Sequence, residues 1–151
     1  MIDTHYTSKT PCVGLCSTVY GDLVCRGCKR FSHEIIDWNR YQPVEKTAVW
    51  SRLEHLLTQL TSARVEVVSA VQLRGSIADR QMASVEGLPL PFQIVRLLSR
   101  ADAPTLPECG LRPRAEYAHM STKQLREDID QTFFALSEAY YQRHAVGKKL
   151  K

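Results

Sequence analysis

Apolar residues recur at helical spacing in two long stretches of this chain. After Pro43, the residues Val49, Trp50, Leu53, Leu56, Leu57 and Leu60 form one broad stripe, the pattern of a helix that buries one face. Pro43 suits a first helical turn, and Glu45 behind it complements the positive end of the helix. A second helix is predicted from Ser121 to Arg143, where Leu125, Ile129, Phe133, Leu136 and Tyr140 hold the period while Phe134 and Tyr141 widen the apolar face. Ser121 with Gln124 spells a capping box, Glu127, Asp128 and Asp130 are early acids, and Gly147 lies beyond the expected end. Core packing is the expected use of that face, with a dimer or partner contact as the other.

The shorter elements are less regular. Ser32 reads as an N-cap, Glu34 as a first-turn acid, and Phe31 with Ile36 as a hydrophobic staple, giving a short helix that leaves at about Asn39. The stripe after Pro43 is expected to bury against Ile35, Ile36, Trp38 and the residues before them. Arg64 to Arg74 is valine-rich with partial alternation, so a strand is the first reading and a continued helix the competitor. Ile77 to Glu86 reads as a short helix ended by Gly87 and Pro89. Phe92 to Leu98 reads as a second strand pairing with the first, although Pro91 could equally begin a helix. Residues 88–113 hold five of the seven prolines, which favours an extended surface connector. The fold class expected is α-rich, α or α+β, with a possible short β pair in the second half.

Before residue 30 the helical period is absent and cysteine takes over. Cys12, Cys16, Cys25 and Cys28 stand in a C-x₃-C-x₈-C-x₂-C pattern. Two close pairs of soft thiolates are what a tetrahedral zinc ion or an iron–sulfur centre requires. Gly14 and Gly27 permit turns that aim each pair inward, and Ser17 to Val24 reads as a hairpin about Gly21-Asp22 that returns the second pair to the first. Zinc is modestly favoured, because a single ion fits two pairs closed by a short loop and supplies folding energy to a module with little core. An Fe–S cluster is the alternative. A redox dithiol built on Cys25 and Cys28 is weaker, since it wants a helix starting at the cysteines within a βαβ setting. His33 could join or support a thiolate, but as a helix-start residue it is unremarkable. His55 beside the apolar stripe reads as structural, and Cys109 as an incidental thiol, with nothing near it to lower its pKa.

Composition narrows the class. The 151 residues are 44% apolar and 24% charged, a globular rather than disordered balance. No apolar run approaches the roughly 18 residues that span a bilayer, and the start of the chain carries no export-signal pattern, so no membrane contact is expected and the cytoplasm is the expected address. Five cysteines without an export signal favour metal over disulfides. The net charge of +4 is a mild excess, some of it in Arg143, Lys148, Lys149 and Lys151, which read as a solvated tail. Arg26, Lys29, Arg30, Arg40 and Tyr41 near the second cysteine pair could contact nucleic acid. The organisation expected is a flexible leader over 1–9 that includes His5, a four-cysteine module with two helices over 10–60, and a helical or mixed extension over 61–151.

PCVGLC, CRGCKR, HEIIDW and EKTAVWSRL together resemble the bacterial YdhL-like family, small cysteine-rich proteins regarded as a domain of unknown function and expected to hold an iron–sulfur cluster. The resemblance runs from Thr10 to Leu60, about a third of the chain, and implies that Cys12, Cys16, Cys25 and Cys28 are that family's four-cysteine motif. Three functions follow for weighing. The first is a metal-held module that contacts another macromolecule, a protein before a nucleic acid. The second is an Fe–S protein for electron transfer, cluster delivery or redox sensing. The third, an enzyme, is disfavoured, because four thiolates leave a metal no open position and no phosphate loop, nucleophile elbow or Ser/His/Asp set appears. No small-molecule substrate is indicated by any motif.

Overall fold

A computed structural model describes residues 10–82, 85 and 87–149. The expected leader with His5, the residue Lys151 and the side chains of Lys148 and Lys149 lie outside the described residues, as do three positions of the helix expected over 77–86. The chain is mostly helical with a short two-stranded antiparallel sheet in its second half. The described helices are α1 (Ser32–Asp37), α2 (Pro43–Arg64), α3 (Ala70–Asp79), α4 (Leu90–Leu98) and α5 (Thr122–Lys149). The strands are β1 (Val65–Val67) and β2 (Leu111–Pro113). The structure divides into two compact units, one of Met1–Leu56 with Gln131–Lys151 and the other of Leu57–Asp130.

The first unit holds the cysteine loop, α1, the first part of α2 and the later part of α5. Val24, Phe31, Trp38, Val49, Trp50, Leu53, Leu56 and Phe133 are its buried apolar residues. Helix α2 begins at Pro43 as its sequence predicts, and Glu45 closes the end by accepting the Gln42 N–H at 2.9 Å. Helix α1 differs from expectation in its facing. Ile36 is 77% exposed while Glu34 and Trp38 point inward, so no Phe31–Ile36 staple forms. The inward acid is explained by its partners: Glu34 Oε1 accepts the Phe31 N–H at 2.8 Å, and both its oxygens accept from Arg52 of α2 at 2.6 and 2.7 Å. A bidentate guanidinium–carboxylate pair keeps its geometry when buried, and here it sets which face of α1 turns in.

In the second unit β1 and β2 pair Val65 with Pro113, Glu66 with Arg112 and Val67 with Leu111. The strand expected over Arg64 to Arg74 is thus three residues long. Ser69 stops it, because the Ser69 hydroxyl accepts the Gln72 N–H at 3.2 Å and so caps α3. Phe92 to Leu98 is not the partner strand. It is helical, with Pro91 in the first turn and Phe92, Ile94, Leu97 and Leu98 buried. Proline lacks the N–H that a first helical turn leaves unused anyway, so the competing reading of Pro91 prevails. The proline-rich stretch 88–113 therefore carries a helix and the true second strand rather than a continuous connector. Helix α5 opens with the expected box, Ser121 N–H to Gln124 Oε1 at 2.9 Å and Gln124 N–H to Ser121 Oγ at 3.1 Å. It runs through Gly147 to Lys149. Leu125 and Ile129 join Leu57, Leu60, Val65, Leu73, Leu97, Leu106 and Leu111 among the buried residues of this unit. Among the described residues no helix is long and apolar enough to cross a membrane.

Candidate functional site

The cysteine loop is built from two turns that touch. In the first, Gly14 takes a left-handed φ of 93° and its N–H donates to Cys12 Sγ at 3.4 Å. The expected hairpin between the pairs is absent. Ser17–Tyr20 instead forms a 3-10 turn closed by Gly21 N–H on the Thr18 carbonyl at 3.1 Å, and Val24 then bridges Phe31. The physical reason is Ser17, which is buried with its hydroxyl accepting the Arg26 N–H at 2.8 Å. That bond holds the first turn against the second and leaves no register for paired strands.

In the second turn the Lys29 N–H closes on the Cys25 carbonyl and the Cys25 N–H on that of Arg30, both at 2.9 Å. The left-handed residue is Lys29, with φ 67°, rather than Gly27. Gly27 is needed for a different reason. A Cβ there would collide with the Leu15 carbonyl oxygen and sit 2.9 Å from Val13 Cγ2, so the glycine is what lets the two turns approach.

The cysteines occupy graded environments. Cys12 is exposed, Cys16 half-buried, and Cys25 and Cys28 buried. Cys25 and Cys28 are within hydrogen-bonding reach of each other. Burial alone pushes the Cys25 thiol up, but N–H groups of Cys28, Ser17 and Gly27, with the Cys28 side chain, outweigh it and hold its pKa below the ordinary thiol value. Burial pushes Cys28 up, and Arg30, whose Nε donates to Cys28 Sγ at 3.2 Å, offsets only part of this. Cys16 Sγ lies 3.0 Å from the Thr18 hydroxyl. Among the described residues no group of three or more His, Cys, Asp or Glu side chains is arranged to hold a metal ion. The fold thus brings Cys25 and Cys28 together and sets the Cys16 turn against them, since Leu15 O and Ser17 N–H both meet Cys25 Sγ. It does not gather all four sulfurs.

The cations of the loop are placed unlike the surface patch the sequence suggested. Lys29 is 1% and Arg30 4% exposed. Lys29 Nζ donates to the Gly27 carbonyl at 3.1 Å and lies over the Phe133 ring, while Arg30 lies over Trp38. Arg26 and Arg40 stay outside, beside Asp22 at 3.4 Å and Asp37 at 4.0 Å, and Tyr41 packs near Trp38. Sequence reasoning missed the inward pair. The signal available was their position directly after Cys28, in a turn too tight to let every side chain leave. His33 lies parallel to His144, ring centroids 6.2 Å apart and 13° between planes, and His55 is exposed. Cys109 is fully buried and donates to the Leu106 carbonyl at 3.4 Å.

These features define an α-rich chain with a compact, thiol-lined double turn near its start. Residues 10–57, about a third of its length, match the profile of a family described as a protein of unknown function (DUF1289). The match covers both cysteine turns, α1 and the first part of α2. No curated protein and no solved structure matches the chain.

Proposed function

We propose that this is a small metal-binding protein in which Cys12, Cys16, Cys25 and Cys28 hold one zinc ion as a structural centre, and that the loop so fixed presents a surface to a protein partner. The contact of the two cysteine turns at Gly27 carries the reading, because it sets residues on either side of Cys16 against the Cys25 sulfur. N–H groups directed at sulfur favour the thiolate form a metal requires. Binding would ask Cys12 and Cys16 to join Cys25 and Cys28, and both lie on the more exposed turn. The outer side of the loop offers Val13, Leu15, Val19, Tyr20 and Leu23, all exposed. Exposed apolar side chains clustered in one short segment suit a protein contact.

An Fe–S centre for electron transfer, cluster delivery or redox sensing is the second reading. The resemblance of residues 10–60 to the YdhL-like proteins favours it, as does the density of donors around Cys25, a device that tunes cluster potential. Metal analysis and a visible spectrum of protein purified without oxygen separate the two. One equivalent of zinc without a visible band is expected, with residues 10–56 losing order when a chelator strips the metal. Iron with matching sulfide and a broad band near roughly 400 nm moves the assignment to the cluster. Folded protein with neither metal overturns both.

A further inference from the structure

Away from the cysteines, the second unit contains a cavity of about 910 Å³ between the segment after α4 and the start of α5. Its size lies within the range of small-ligand sites, roughly 300–1,000 Å³. The charged side chains that line it are Arg100, Lys123 and Arg126, and no Asp or Glu is among its lining residues. Asp102 answers Arg100 from outside at 2.7 Å and is shared with Arg80 at 3.9 Å, so that pair of cations already exceeds its carboxylate. Lys123 has no ion pair among the described residues. Arg126 meets Glu127 only loosely, at 3.8 Å, although the Arg126 side chain is only 31% exposed.

Lys123 and Arg126 are three residues apart and so share one face of α5. Among the described residues Arg126 makes no hydrogen bond, and a half-buried guanidinium of that kind is matched by an oxyanion that presents two oxygens side by side, as a phosphate does, while the neighbouring ammonium adds a point charge. The helix end itself is already committed, since the capping box occupies Ser121 and Gln124. Side chains would therefore hold the anion. Pro104, Leu106 and Met120 supply an apolar wall beside these cations, and a bare inorganic anion would leave that wall and most of the volume unused.

We propose that this cavity binds a phosphorylated small molecule of about mononucleotide size, its phosphate on Lys123 and Arg126 and its apolar part against Met120 and Leu106. The site is independent of the cysteine loop. The test is calorimetric titration of the full chain with ADP and with inorganic phosphate. ADP is expected to bind saturably and more tightly than phosphate alone. The Lys123→Glu, Arg126→Glu double variant should weaken ADP at least about tenfold, a loss of roughly 1.4 kcal/mol. Arg40→Glu with Arg143→Glu makes the same change in net charge elsewhere and should leave ADP affinity within about twofold. Should the first variant fail to fold by circular dichroism, Lys123→Gln with Arg126→Gln replaces it, with the same loss expected. No saturable binding by about 10 mM ADP, or equal weakening by the control pair, overturns the proposal. So does a single-stranded RNA that binds through Lys123 and Arg126 and is not displaced by ADP, which would make the ligand a nucleic acid.

Discussion

Gly27 and Gly75 show how differently the same residue is used. A side chain at Gly27 meets the Leu15 backbone, which cannot swing aside, whereas nothing lies within 4 Å of a Cβ at Gly75 in α3. Gly27→Ala is therefore expected to cost about 1–3 kcal/mol through overpacking. Gly75→Ala should add about 0.5–1 kcal/mol by restraining the unfolded chain. Urea unfolding of the two variants beside the parent decides this, and equal effects would refute the close approach of the turns. Cys109 carries a pH prediction. Burial pushes its thiol above the ordinary value of 9.0, and the backbone N–H groups of Cys109 and Leu111, with the weaker Arg80 charge, only partly counter it. The folded state thus holds that proton more tightly than the unfolded chain does. The contribution is complete below the unfolded thiol's pKa and is lost as pH rises through the folded one. Thermal unfolding between about pH 8 and 11 should show a flatter alkaline decline in Cys109→Ala than in the parent.

At the scale of elements, α1 and α2 are joined by a pair that the hydrophobic pattern does not contain. Glu34 and Arg52 are 7% and 19% exposed in their side chains, and Arg52 also lies over the Phe31 ring at 4.0 Å. Breaking a buried pair from one side leaves an uncompensated charge, so Arg52→Met should destabilise by about 3–5 kcal/mol. Adding Glu34→Leu to it should recover part of that loss, because the stranded carboxylate is then gone. A double-mutant cycle in urea measures the coupling, and simple additivity of the two single changes would refute the pair. In the other unit, Arg112 donates to Glu66 across the two strands at 2.7 Å, but both side chains are well exposed. A contact of that kind contributes little beyond register.

At the scale of the whole molecule, the unit that contains the cysteine loop is discontinuous in sequence. Its second wall comes from α5, where Phe134 lies under Arg26 at 4.6 Å, Phe133 under Lys29 at 5.5 Å, and Tyr141 edge-on to Phe31 at 5.2 Å. The segment that matches the family profile ends at residue 57 and includes none of the α5 rings. A fragment of residues 10–57, with zinc supplied, is therefore expected to exchange its amide hydrogens far faster than the same residues in the full chain. Protection equal to that of the full chain would show that the segment stands alone.

The sequence by itself determined the α-rich class, the starts of α2 and α5, the buried stripe of α2 and the capping box at Ser121. Each of these is written within a few residues, because helical hydrogen bonds and caps join positions three or four apart. It also made the paired cysteine turns visible, since glycine and close cysteine spacing are local features. Tertiary structure decided the rest. Whether 92–98 became strand or helix depended on which segment β1 found to pair with, and Glu66 met Arg112 across 46 positions. The facing of α1 was set by Arg52, 18 positions after Glu34, and Lys29 and Arg30 turned inward because α5 and Trp38 supplied aromatic faces for them. Pairings at such separations leave no periodic trace in a single chain, because the residues between them are free to vary without changing either partner.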